Sequence, residues 1–385
     1  MPWNRKLLKG TVFVSSNLLA GQVVALLYSI MGARLFSPVD YGRIMAVVAM
    51  SMIVATISDF GFAQEALRKQ VINSHHRFPV SKQKIRKLIV LELIAVTVIW
   101  SVDFHLAYLA IPLIGLAWYL SVLAAIPYRA HSNFIRLSIY SAAGRVCGLV
   151  LVIALLTINN SEVSFIIGFS LIYFLDALSL LVLGRKNYPL DLRYVQQIEF
   201  RSSVVSVLPV IQNLDVIAIR LASPLDAGIF SAVNKWPAAL GSLVTAINVV
   251  TFKSHILPRT IKRSWQLDLM PYFLLVFLLS TITLIYSRSI VNVVLPPEYS
   301  GSLNTFRILV LVSLISFWNQ AYFSRFIAKG SHSQLIYIYT FWTSIQIAAF
   351  YFVTKHFTFE YALISLLTAQ MLMLLSFINS ERVIK

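Results

Sequence analysis

Acidic side chains and cysteine are the scarcest chemistry in this chain. Fifteen Asp and Glu stand against 32 Lys and Arg in 385 residues, and charged residues of both signs amount to only 12%. Soluble domains carry about 25% charged residues. With 58% of the chain hydrophobic, a water-soluble fold is excluded and lipid must solvate most of the surface. The lone cysteine, Cys147, cannot form a disulfide within the chain, and in an apolar stretch it reads as a small packing residue. No phosphate-cradling Walker loop, zinc-type cluster, Gly-x-Ser-x-Gly elbow or Asp-x-Asp pair is present. The sequence therefore calls for no enzyme chemistry, no metal and no cofactor. His75-His76 lies among loop cations and reads as part of a solvated basic face.

What is abundant is apolar sequence in long runs. Twelve windows, at 10–33, 43–65, 86–103, 106–127, 137–158, 163–184, 202–222, 229–252, 269–287, 304–326, 334–354 and 358–379, are each close to the roughly 20 residues a helix needs to cross about 30 Å of hydrocarbon. The first run is too long for a signal peptide and is not followed by a small-residue cleavage site, so it reads as a retained helix. The expectation is an all-α polytopic membrane protein of about twelve transmembrane helices. The net charge of +17 would suit nucleic acid if it formed one patch, but the cations recur in short clusters between apolar runs. Arg5, Lys6 and Lys9 begin the series, and Arg68 to Lys87, Arg129 and Arg136, Arg185 to Arg201, Lys253 to Arg263, Arg325, Lys329, Arg382 and Lys385 continue it. These loops all face the side of the N-terminus, which places both termini in the cytoplasm.

A repeat divides the chain. Arg34-Leu-Phe-Ser-Pro-Val-Asp40-Tyr-Gly42 follows the first window, and Arg220-Leu-Ala-Ser-Pro-Leu-Asp226-Ala-Gly228 follows the seventh; six of nine positions are identical, at an offset of 186. Ser-Pro and Asp-x-Gly are ordinary helix punctuation, but their recurrence at matching places in a twelve-window chain points to duplication. Six windows is an even number, so the halves have the same orientation and are related by an axis along the membrane normal. The expected organisation is an N-lobe at 1–190 and a C-lobe at 191–385, six helices each, in a parallel pseudo-two-fold arrangement. Two such lobes imply a central cavity and alternating access.

Several segments resemble the O-antigen and polysaccharide flippases of the multidrug/oligosaccharidyl-lipid/polysaccharide (MOP) exporter superfamily. They are Asn17 and Gln22 running into Ala33-Arg34-Leu35 and Pro38-x-Asp40-Tyr41-Gly42, then Ser58-Asp59-Phe60-Gly61-Phe62, Gly228-Ile229-Phe230-Ser231-Ala232, and Glu298-Tyr299 ahead of Arg307-Ile308-Leu309. Pro296 and Pro297 stand before the Glu-Tyr pair where the family pattern has glycine. The resemblance implies a bacterial inner-membrane protein that moves undecaprenyl-diphosphate-linked oligosaccharide from the cytoplasmic to the periplasmic leaflet. It also implies polysaccharide polymerase and chain-length proteins as partners, and no nucleic acid.

Ionisable groups inside membrane spans line cavities or pair with one another. Asp59, Arg145, Asp176, Asp215 and Lys235 are the charges expected at a cavity. Arg145, about 12 Å inside the cytoplasmic boundary, suits a diphosphate headgroup, because guanidinium binds phosphate oxygens in pairs; snorkelling towards the surface is the plainer reading. Asp176 and Asp215 are placed to pair with Arg145 or Lys235, to gate, or to carry a proton. Glu65 and Glu92 fall near cytoplasmic ends and read as solvated. Asn17, Gln22, Gln212, Asn213 and Asn234 offer neutral donors and acceptors for sugar hydroxyls, with interhelical hydrogen bonding as the alternative. Trp118, Trp236, Trp318 and Trp342 read as interface or lipid contacts before sugar platforms. Gly144-x-x-x-Gly148 permits close helix packing, and Pro112, Pro209 and Pro237 mark kinks. Arg34, Asp40, Gly42, Arg220, Asp226 and Gly228 mark the repeat turns.

Two other readings remain. A glycan polymerase or ligase needs a large extracytoplasmic loop, and the longest here, about 288–303, is too short for one. A cation-coupled drug antiporter of the same superfamily tends to carry an acid in its first helix, and 10–33 contains none.

Overall fold

The computed structural model describes residues 21–63, 66–67, 70, 78–79, 82–102, 106–131, 133–188, 190–191, 204–205, 207–208, 213–237, 240, 265–299, 301–329 and 331–384. Within these the chain is helical apart from one two-residue parallel pairing, Phe78–Pro79 with Leu190–Asp191. The helices are α1 (Gly21–Leu35), α2 (Pro38–Asp59), α3 (Lys82–Val102), α4 (Ile111–Ala130), α5 (Phe134–Ile158), α6 (Glu162–Gly184), α7 (Leu214–Ala222), α8 (224–237), α9 (Trp265–Ile285), α10 (Ser287–Val294), α11 (Ser302–Ala328), α12 (His332–His356) and α13 (Phe359–Ile384). Among the described residues seven helices are long and apolar enough to cross a membrane, and α9 and α10 pass the same test only together, bent by 69° at the break between them. The outer faces carry large exposed apolar side chains, such as Ile139, Val146, Val150 and Ile153 on α5, as lipid contact requires.

Helix ends follow capping chemistry rather than the edges of the apolar windows. Window two starts at 43, yet α2 begins at Pro38 because Ser37 accepts the Asp40 amide at 3.3 Å and donates to the Asp40 carboxylate at 2.7 Å. Proline suits the first helical position, whose N–H has no intrahelical partner. The repeat does the same at α8, where Ser223 Oγ accepts the Asp226 amide at 3.3 Å. At its far end α2 stops at Asp59, since Phe60 and Gly61 take left-handed φ values of 44° and 79°. Pro112 starts α4 within its first turn instead of kinking it; there its missing N–H costs nothing. Pro237 closes the described part of α8, and Pro209 lies outside the described residues.

Contacts divide the chain into two units. One is 43–217 and the other joins 1–42 to 218–385. Their boundaries fall at residue 42 and near 217. The physical reason lies in the repeat turns. A Cβ on Gly42 would stand 2.8 Å from both Gly228 N and Pro224 O, and a Cβ on Gly228 would stand 1.8 Å from Pro38 O. Each glycine lies on the proline of the other copy, the reciprocity that a two-fold relation produces. Arg34 ties down the same corner by donating to Val293 O at 2.7 Å and Val294 O at 3.4 Å; a cation is favourable at such a helix C-terminus. The Tyr299 hydroxyl reaches Phe36 O at 3.4 Å, and Tyr41 bonds Ser29 at 2.7 Å. Within the 43–217 unit, Ala55, Leu88, Tyr119, Leu123 and Ile126 form one buried cluster, and Tyr128, Leu137, Ala177, Leu180 and Tyr188 form another.

Gly42→Ala and Gly228→Ala should each lower stability by about 1–3 kcal/mol, as overpacking against rigid backbone does, whereas Gly301→Ala, with open space around it, should leave the thermal midpoint of the detergent-solubilised protein unchanged.

Candidate functional site

The closest helix approach in the 43–217 unit is between α5 and α6, and small residues make it possible. A Cβ at Gly144 would stand 2.4 Å from Leu175 O and 2.8 Å from Asp176 Cα, and one at Gly148 would stand 2.6 Å from Ile172 Cα. With backbones this near, the residue after Gly144 is brought against the stretch of α6 that Gly144 faces. Arg145 Nη2 donates to Asp176 Oδ2 at 3.3 Å. From α4, Ser121 Oγ donates to the same carboxylate oxygen. Asp176 is 2% exposed and Arg145 20%. The pair is therefore partly open on the guanidinium side, and Asp176 Oδ1 is left without a partner.

Helix α5 starts three residues before its apolar window, so Arg145 lies eleven residues along it, about 16 Å from its first residue. It is deeper than the window implied, and Asp176 holds it there in place of the surface. Arg129 joins this site. The charge pattern had assigned it to a cytoplasmic loop, but it occupies the last turn of α4, close enough to feel both Arg145 and Asp176 electrostatically. Solvent reaches it. Tyr173, one turn before Asp176 on α6, feels the same two charges. Two guanidiniums thus lie within electrostatic reach of one carboxylate, and Arg145 is the one bonded to it. The signal in the sequence was the lone cation next to the helix-ending Ala130-His131; nothing in it indicated that α4 ends beside α5 and α6 at this depth.

The other expected site residues have separate settings. Asp59 is 8% exposed and accepts the Ala63 amide at 3.2 Å, while Lys84 Nζ donates to its backbone carbonyl at 3.2 Å, so its carboxylate closes the turn after α2. Asp215 is buried near the start of α7. Lys235 is half-buried on α8 and makes no ion pair among the described residues. Gln22, Asn213 and Asn234 are half-buried; Asn17, Gln212, Glu65 and His75-His76 lie outside the described residues. Amides bond between helices in α11, α12 and α13: Asn319 Nδ2 donates to Gln370 Oε1 at 2.8 Å, and Gln370 Nε2 donates to Gln346 Oε1 at 2.9 Å. Trp342 donates to Ser376 at 2.9 Å, and Trp318 packs on Phe273 and Phe317. Cys147 is exposed on α5 rather than packed, because Arg145 and Gly148 turn that face of the helix outward. Glu92, expected to be solvated, is fully buried. Among the described residues no group of three or more His, Cys, Asp or Glu is placed to hold a metal ion.

By sequence, no family model matches the chain and no curated protein does. Solved structures do match its fold. A MATE transporter in a bent conformation superposes with a TM-score of 0.62 at 11% identity, covering 98% of this chain and 95% of that one. A MOP superfamily transporter from Pyrococcus furiosus, described as having a binding pocket of reverse polarity, gives 0.56 at 12% identity over 97% of this chain and 95% of that one. A MATE structure in complex with Br-NRF gives 0.52 at 13% identity over 98% and 96%. The chain has the multi-span helical fold of MOP superfamily transporters.

Removing one partner of a buried ion pair leaves a bare charge, and that costs about 3–5 kcal/mol, while replacing both by apolar groups is close to neutral. Asp176→Leu should therefore destabilise the protein more than the double variant Arg145→Met/Asp176→Leu, as read by thermal unfolding in detergent.

Proposed function

We propose that this protein is a flippase: it moves oligosaccharide units linked to undecaprenyl diphosphate from the cytoplasmic to the periplasmic leaflet of a bacterial inner membrane, for O-antigen or related surface polysaccharide assembly. The observation that carries this reading is the paired guanidinium site. Arg129 and Arg145 offer forked donors to an anion, and Asp176 is the acid that opposes them among the described residues. Two phosphates match such forks, and guanidinium is weakly enough hydrated to be used away from water. Ser121 holds Asp176, and Asp176 holds Arg145, so the cation is fixed before the headgroup arrives. Binding energy then goes to the ligand rather than to ordering the side chain. The neutral amides Gln22, Asn213 and Asn234 suit sugar hydroxyls, and Lys235, which makes no ion pair among the described residues, adds a cation for an anionic cargo in transit.

Transport would proceed by alternating access, with the halves 1–190 and 191–385, related by an axis along the membrane normal, rocking against one another and both termini in the cytoplasm. Polymerase and chain-length proteins would take the delivered units. No covalent chemistry is required of the chain itself. A cation-coupled drug antiporter shares the fold and is the second reading. Against it stand the absence of any acid in the described first helix, 21–35, and an excess charge of the same sign as cationic drugs.

The test is the lipid-linked glycan pool of a deletion strain, with leaflet assigned by an impermeant sugar-modifying reagent. Repeat units trapped in the cytoplasmic leaflet are expected. Complete units already in the periplasmic leaflet would reject the flippase reading. Arg145→Gln, Arg129→Gln and Lys235→Ala should each reduce export at normal membrane levels of protein, and unchanged export in all three would remove the electrostatic account.

A further inference from the structure

Glu92 is a carboxyl with no visible purpose in anion transport. It lies ten residues along the 21-residue α3, about 15 Å from its start and so near the middle of the helix. The residue is 0% exposed, and neither carboxylate oxygen has a hydrogen-bond partner. Its place is made by Gly115 on α4, where a Cβ would stand 1.8 Å from Glu92 Oε1. The carboxyl thus fills the space a side chain at 115 would take.

Ionisable groups on the elements packed around α3 are few. The 106–110 segment supplies Tyr108; α4 supplies Tyr119, one turn beyond Gly115, and Tyr128 and Arg129 at its far end. Helix α2 supplies Asp40, Tyr41 and Arg43 at its first turns and Asp59 at its end. On α3 itself lie Lys82, Lys84, which is bonded to Asp59 O, and the exposed Arg86 and Lys87, the nearest of them five residues from Glu92. None of them reaches a Glu92 oxygen. An ionised carboxylate there would lose its hydration with nothing in exchange, which is far more costly than burying the neutral acid.

We infer that Glu92 is a proton-binding site: it is carried as the neutral acid between α3 and α4, and it exchanges its proton with water only when the slot over Gly115 opens. The step is a simple acid dissociation, in which the O–H bond breaks, the electron pair stays on the carboxylate and water takes the proton. If the protein is a transporter, as proposed above, that proton links its conformational cycle to pH. The binding site itself does not depend on which cargo is moved.

Infrared spectroscopy of the purified full-length protein reads this directly and requires no transported substrate, so its failure and that of the flippase reading are separate results. Wild type should show the carbonyl stretch of a protonated carboxylic acid at neutral pH, slow to shift in D2O. Glu92→Gln should lose one acid's worth of that band while keeping the helix content seen by circular dichroism. Gly115→Ala should push the flexible carboxyl end out of its slot and lose the same band at neutral pH. A band identical in wild type and Glu92→Gln would overturn the inference, as would immediate exchange in D2O.

Discussion

Close backbone approach at a handful of glycines is the constraint on which the rest of this structure depends. Apolar side chains gain little by leaving lipid for one another, so helices in a membrane associate through packing and polar contacts. Packing is strongest where backbones come nearest, and that requires residues without a Cβ. Gly144 and Gly148 bring α6 against α5, Gly115 opens room on α4 for the Glu92 carboxyl, and Gly42 and Gly228 press the two repeat turns onto each other. In each case the glycine decides which polar group is brought to which neighbour.

The charges then sort by what those approaches provide. Arg43 with Glu162 at 3.1 Å, and Arg325 and Lys329 with Glu381, pair near helix ends, where partial solvation keeps the energetic stakes low. Arg145 and Asp176 pair deep in a span, where either one alone would be expensive. Glu92 has no ion pair among the described residues and lies about as far along its own helix. A cation-rich site that is open to solvent and a lone carboxyl that is sealed from it occupy one unit, 43–217, and they answer opposite physical demands: the first attracts an anion, the second retains a proton.

Much of the fold could be read from the chain. Apolar windows located the spans because hydropathy over about 20 residues is a local quantity, and the Ser-Pro-x-Asp repeats announced two helix starts whose caps formed as their chemistry dictates. Gly144-x-x-x-Gly148 foretold a close crossing. The errors share one cause. Arg129 was placed in a loop because apolar content falls off near it, although α4 continues through it to Ala130. Glu92 was placed at a solvated end because its window opened at 86, whereas the basic first turn of α3 carries the helix back to Lys82 and moves Glu92 to its middle. Cys147 was expected inside and faces out, since a window records apolarity and not direction.

The sequence by itself therefore determined that this is a multi-span helical membrane protein, where its helices start, and that its two halves carry the same turn. Those properties depend on neighbours within a few residues along the chain: hydropathy, caps and proline's fixed φ. Only the tertiary structure decided that Arg129 joins Arg145 at Asp176, that Glu92 is sealed over Gly115, and that the repeat turns clasp one another. Each of these joins residues 16 to 190 positions apart, and whether such residues meet is set by which helix faces pack, a relation that no local stretch of sequence contains.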